Sequence, residues 1–148
     1  MINIIVAVSN ERDRAIGKDN KLLLHNKEDL QEFKRLTSQP SSVIVCGRKT
    51  YESLPEVVRK RVSLIFGKYH TTLEQFKSMD FSNKTVWVIG GGEIYKKMIE
   101  ENLVDSIYLT TFDKELEGDT FFPQIPENFI CKHITYFKTF KRKTYEKR

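Results

Sequence analysis

The sequence predicts an α/β protein: a mixed, mostly parallel sheet of about seven or eight strands, ending in an antiparallel C-terminal hairpin and flanked by about four helices. Three observations carry this. Short runs of consecutive apolar residues, INIIVAV at 2–8, VIVC at 43–46, VSLIF at 62–66 and VWVI at 86–89, read as strands buried on both faces, as in parallel sheets. Two of them end on glycine and lead into a helical stretch, Gly47 before residues 50–54 and Gly90-Gly91-Gly92 before residues 93–102. The basic C-terminus instead alternates in part, with Phe140, Arg142 and Thr144 set against Lys141, Lys143 and Tyr145, as a twisted or edge strand does. So few helices for so many strands argue against a full doubly wound fold.

In chain order, residues 2–8 form a central strand. Residues 9–21 are polar and turn-rich, a long functional loop with a small apolar island at Ala15-Ile16-Gly17. Asn26 caps a helix over residues 27–36. Leu30, Phe33 and Leu36 form its apolar stripe, Asp29 projects from the edge of that stripe, and Glu28, Gln31, Glu32 and Arg35 take the outer face. After the strand at 43–46, residues 55–60 are a loop. Arg61 opens the strand at 62–66. A short helix at 72–79 turns Leu73, Phe76 and Met79 inward. The helix at 93–102 buries Ile94, Met98 and Ile99, and a strand follows at 106–112. Residues 118–123 are a turn, and strands near 129–137 and 139–146 pair as the hairpin.

A chain of 148 residues suits one domain, residues 1–148, with 39% hydrophobic and 30% charged residues, the balance of a globular protein. No apolar run approaches the ~20 residues of a membrane helix, and the N-terminus lacks the layout of a signal peptide. Cys46 and Cys131 read as buried free thiols in a reducing cytoplasm. His25, His70 and His133 are too scattered for a metal site. The net charge of +5 lies largely after residue 131, as lysines on an exposed edge. No nucleic-acid motif accompanies it, so small polyanions are the expected partners, not nucleic acid or membrane.

The two strand–glycine–helix junctions are the sharper signal. Glycine lets backbone approach a ligand, and a helix start presents free N–H groups to phosphate. Gly47 is followed by Arg48, Lys49 and Thr50. Neither junction matches a dedicated motif: Ser42 stands where a P-loop needs glycine, and Tyr95 takes the place of the last glycine in GxGxxG. Two such junctions in one sheet suggest an elongated ligand with several phosphates across the strands' carboxyl ends. Asp29 is a first-turn carboxylate that either complements the helix dipole or holds a polar ligand group.

Taken jointly, IVAVS at 5–9, AIGKDN at 15–20, DLQEFKRLT at 29–37, VCGRKTYESL at 45–54, RVSL at 61–64, VIGGGEIY at 88–95, YLT at 108–110 and EGDTFFP at 117–123 resemble dihydrofolate reductase. The resemblance covers nearly the whole chain. It implies an eight-stranded, mostly parallel sheet with four helices. It also implies NADPH-dependent reduction of dihydrofolate to tetrahydrofolate, supporting one-carbon metabolism and thymidylate synthesis, in a monomeric cytoplasmic enzyme that is an antifolate target. Asp29 would be the ionisable group of the pterin pocket, assisted by Thr110 through water, with Leu24 facing the reacting ring. Ile5, Val6, Leu30, Phe33, Leu54, Val58 and Ile89 would line the substrate pocket, and Arg61 would pair with the α-carboxylate of the glutamate tail. For the cofactor, the resemblance assigns Ala7, Ile16, Gly17, Asn20, Gly47, Lys49, Thr50, Phe66 and Ile89, with Gly90, Gly91, Gly92, Glu93 and Ile94 at the pyrophosphate. Arg48 and Lys68 would take the 2′-phosphate, and Tyr95 would lie near the nicotinamide. The Gly90-Gly91 peptide would be cis. Other readings are a different pteridine or pyrimidine reductase on the same fold, which the Asp29 helix with Phe33 and Arg61 argues against, or a weakly active binding descendant.

Three departures from the family pattern stand out. Residues 67–85 are short for the extra strand usually found there, the hairpin is trimmed, and Leu23-Leu24 replace the usual Pro-Trp. Leucine lacks the indole N–H that would order a water beside the pterin. Replacing Leu24 with Trp is expected to alter turnover or antifolate affinity while leaving the fold intact. Unchanged kcat and inhibitor Kd would defeat that expectation.

Overall fold

The computed structural model describes residues 1–19, 21–22 (as backbone) and 26–148. The expected roles of Asn20 and Leu24 lie outside the described residues.

The main sheet has seven strands. At its centre is β1 (Ile2–Val8), hydrogen-bonded in parallel to β6 (Thr85–Val88) on one side and to β7 (Ser106–Thr111) on the other. Beyond β6 lie β4 (Ser42–Gly47) and then β5 (Val62–Phe66), both parallel. Beyond β7 come β10 (Lys141–Lys147) and the edge strand β9 (Phe129–Tyr136), both antiparallel. Three of the four continuous apolar runs, β1, β4 and β6, therefore occupy the interior of the sheet, while the fourth, β5, is an edge strand and only partly buried, contrary to the expectation of two covered faces. Ile4, Val8, Val45, Val86 and Val88 are fully buried. The sheet has seven strands where the family resemblance implies eight. A single parallel bridge, Phe66 to Thr71, is what remains of a further strand in the short segment after β5.

Helix α1 (Lys27–Thr37) begins as expected, the Asn26 side chain accepting a hydrogen bond from the Asp29 backbone N–H at 2.9 Å. Helix α2 (Arg48–Ser53) follows β4, and α5 (Gly92–Glu100) follows β6 after Gly90-Gly91. A capping box of Thr72 and Gln75 starts α4 (Leu73–Lys77), which buries Phe76 but leaves Met79 exposed beyond its end. Among the described residues no helix is long and apolar enough to cross a membrane.

Several expectations are corrected. Residues 56–59 are not loop but a single helical turn, α3 (Glu56–Arg59), started by Pro55, whose fixed φ suits that position. Residues 9–21 are not simply loop either. Ala15–Lys18 forms β2, pairing with β3 (Lys21–Leu22) and with β8 (Thr120–Phe121) in a small second sheet. The apolar island is the reason: Ala15 and Ile16 are buried, so their backbone polar groups must find partners. The same pairing makes residues 118–123 more than a turn. The basic C-terminal strand is internal, because β9 covers its outer side. Consequently Arg142 is buried rather than exposed. Cys46 is buried as expected, whereas Cys131 is exposed because it lies on the edge strand β9.

Ile4 has no exposed surface and sits opposite Val88 on one side and Ile107 on the other. Ile4→Ala is expected to lower the unfolding free energy by roughly 2–5 kcal/mol, read as a lower urea midpoint at unchanged slope.

Candidate active site

The two glycine junctions meet. The Gly47 N–H donates to the Gly90 carbonyl at 2.9 Å, tying the end of β4 to the end of β6. The Gly90-Gly91 peptide is cis, and Gly90 has φ +136°, a region open to glycine. A Cβ on Gly91 would stand 3.0 Å from Thr50 Oγ1, and one on Gly92 would stand 2.9 Å from the Thr120 methyl. Side chains have no room here, and backbone lines the space instead. Neither α2 nor α5 has a side-chain cap at its start, so the first N–H groups of both helices are available to a ligand.

These junctions open onto a cleft of about 550 Å³. Its lining includes Ile16, Gly17, Gly47, Arg48, Lys49, Thr50, Phe66, Lys68, Gly91, Gly92, Glu93 and Ile94, so most of the residues expected around a cofactor converge in one place. The sequence reasoning missed Ser53, Gly67, Thr71, Thr72, Leu73, Lys97, Met98 and Thr120. The segment 71–73 lines the cleft because the Thr71 bridge holds it beside β5. Lys97 follows Glu93 by one turn, a spacing that could have marked it. Ala7, Ile89, Gly90 and Tyr95 do not line this cleft. Tyr95 is buried: its hydroxyl donates to the Ile5 carbonyl at 2.9 Å, its ring meets Phe122 edge-on at 5.1 Å, and burial drives its pKa up. Tyr95 thus ties α5 to β1.

A second group forms on the other side of β4. Leu54, Val58 and Cys46 make a small apolar cluster, with Phe33 and Ile89 packed against it. Four of the expected substrate residues therefore adjoin. Val6 is buried, Ile5 half-buried, and Leu30 exposed at the rim. Arg61 is held near the end of α1, donating to Thr37 Oγ1 at 2.9 Å and Ser38 Oγ at 3.1 Å.

Asp29 is half-buried beside this group. Burial pushes its carboxyl up to about 6. The Thr110 hydroxyl and the Arg142 charge pull it down, while Glu32 pushes it further up. Glu32 is not on an outer, solvated face. It accepts from Arg35 at 2.8 Å and from the buried Arg142 at 2.9 Å, and those bonds, the Arg35 pair first, draw it down to about 2. Arg142 and Glu32 went unrecognised in the sequence, although Glu32 follows Asp29 at the i,i+3 spacing that places both on one face.

The comparisons with known proteins bear on this arrangement. A family model described as Dihydrofolate reductase matches residues 1–148. The chain is 31% identical to the dihydrofolate reductase of Haemophilus influenzae, over 94% of this chain and 91% of that protein. It is 33% identical to that of Bacillus subtilis, over 86% and 79%. To dihydrofolate reductase type 1 of Escherichia coli it is 31% identical, over 86% and 85%.

The chain belongs to the dihydrofolate reductase family.

In this dihydrofolate reductase family member the fold holds the Asp29 proton more tightly than the unfolded chain does. The stabilisation from that proton is fully present below about pH 4 and is lost as pH rises through about 6. Asp29→Asn is expected to be more stable than the natural chain at pH 8, by up to about 3 kcal/mol, with the gap closing below about pH 4. Thermal unfolding across that pH range checks it.

Proposed function

We propose that Asp29 and the paired glycine junctions are the working parts of this chain, which reduces 7,8-dihydrofolate to 5,6,7,8-tetrahydrofolate with NADPH. The observation that carries the proposal is a carboxylate, Asp29, whose pKa burial raises to about 6, in a fold that also forms a backbone-lined, cationic cleft.

The cleft fits the cofactor. Its glycine walls leave no space for side chains but admit a pyrophosphate, and the uncapped starts of α2 and α5 supply N–H donors. Thr50, Lys49 and residues 91–94 would hold that group. Arg48 and Lys68 would favour a 2′-phosphate, hence NADPH over NADH. Ile16 and Gly17, carried on β2, close the cleft from above. When bound, NADPH supplies the hydride that adds to C6 of the pterin.

The chain itself positions and polarises. Asp29 accepts from the 2-amino group and ring N–H of the pterin, and its charge favours a proton on N5, delivered by water. Thr110 orients the carboxylate. Phe33, Leu54, Val58 and Ile89 exclude water around the ring, which strengthens that electrostatic pull. Arg61, already braced by Thr37 and Ser38, would receive the carboxylate of the substrate's tail. Both ligand regions come from one chain, which supports a monomer, and a cytoplasmic setting accords with this chemistry.

Mixing the protein with NADPH and dihydrofolate is expected to consume NADPH, followed by its absorbance. Asp29→Asn should lower kcat/KM for dihydrofolate by roughly 10²–10³-fold with little change in KM for NADPH. An inactive natural chain, or a variant equal to it, overturns the reading.

A further inference from the structure

Arg142 is a charged side chain in an unusual place. It lies on β10 opposite Thr110 of β7, and directly opposed residues of an antiparallel pair share a face. Arg142 therefore points to the same side of the sheet as the Thr110 side chain. It is 9% exposed, and its guanidinium lies 5.2 Å from the centre of the Phe137 ring. One nitrogen donates to Glu32 Oε1 at 2.9 Å, while its buried Nε finds no acceptor among the described residues. Glu32 stands one helical turn after Asp29 and is gripped from its outer side by Arg35 at 2.8–2.9 Å.

A buried guanidinium costs several kcal/mol in desolvation and persists where its surroundings fix it. Here it is fixed by an aromatic face, a carboxylate and a strand on either side. That arrangement sets a positive charge and a negative charge at fixed places beside Asp29. Among the described residues, the charges acting on Asp29 are Glu32 on its own helix and Arg142 on β10. The strand β7 contributes only the uncharged Thr110.

We propose that Arg142 is a positioning residue for the reaction: clamped by Glu32 and Phe137, it stabilises the ionised form of Asp29, and Glu32 sets how much of that positive charge Asp29 feels. This rests on Asp29 as the pterin-binding carboxylate. The pair is a tuning device with two hands. Arg142 favours the anion, Glu32 opposes it, and the ion pair between them couples the two effects. The reductase thus keeps a partly buried carboxylate while limiting the penalty that burial imposes on its charge.

The test is the carbon-13 titration of the Asp29 carboxyl in the natural protein, Arg142→Met and Glu32→Gln, with the kcat/KM–pH profile for dihydrofolate measured alongside. The expected midpoint rises by about one unit in Arg142→Met and falls in Glu32→Gln, and the inflection of the rate profile moves with it. A merely structural role for the ion pair would move both variants in the same direction, because each breaks the same contact. Shifts of the same sign, or no shift in either, overturn the proposal. Should Arg142→Met fail to fold, Glu32→Gln decides alone: a midpoint unchanged or raised overturns it. If Asp29→Asn retains full activity yet the two titrations move oppositely, the tuning stands and only the role of Asp29 falls.

Discussion

One hydrogen bond organises the ligand-binding end of this molecule: the Gly47 N–H to the Gly90 carbonyl, 2.9 Å across the tips of β4 and β6. Because those strand ends are held together, α2 and α5 start side by side, and two sets of free helix N–H groups face one space. Thr50 packs so closely against the glycines that a Cβ on Gly91 would stand 3.0 Å from its hydroxyl. The Tyr95 hydroxyl then fixes α5 to β1 through the Ile5 carbonyl. The cleft is thus a consequence of strand order, since only neighbouring parallel strands bring two such turns to the same edge.

The two halves of the site use charge differently. In the cleft, Arg48, Lys49, Lys68 and Lys97 are exposed, and Arg48 is partly engaged by Glu52 at 3.0 Å. Such charges attract an anion but are screened by water and salt. Around Asp29 water is largely excluded, so desolvation outweighs the neighbouring charges and raises the carboxyl despite a cation nearby. Phosphate binding needs many weak, replaceable contacts. Polarising a pterin needs one well-placed charge.

Much of this was legible in the chain. The apolar runs marked the strands, because a strand buried on both faces is mostly apolar. Asn26 marked the start of α1, and Gly47-Arg48-Lys49-Thr50 with the triple glycine marked the cleft. The failures share a cause. Ala15–Lys18 is too short to announce a strand, and its partner Thr120–Phe121 lies about a hundred residues away. Arg142 looked like one more surface cation in a basic tail, although the alternation that placed Phe140 inward placed Arg142 inward too.

By itself the sequence determined the fold class, the central strands, the glycine junctions and Asp29 as the candidate carboxylate, since each follows from local periodicity, backbone freedom or helix-start chemistry. Only the tertiary structure decided which cations face the cleft, that β10 pairs with β7, and that Arg142 and Glu32 stand near Asp29. Those outcomes depend on pairings between segments far apart in the chain, and a side chain's electrostatic role is set by what the fold packs around it.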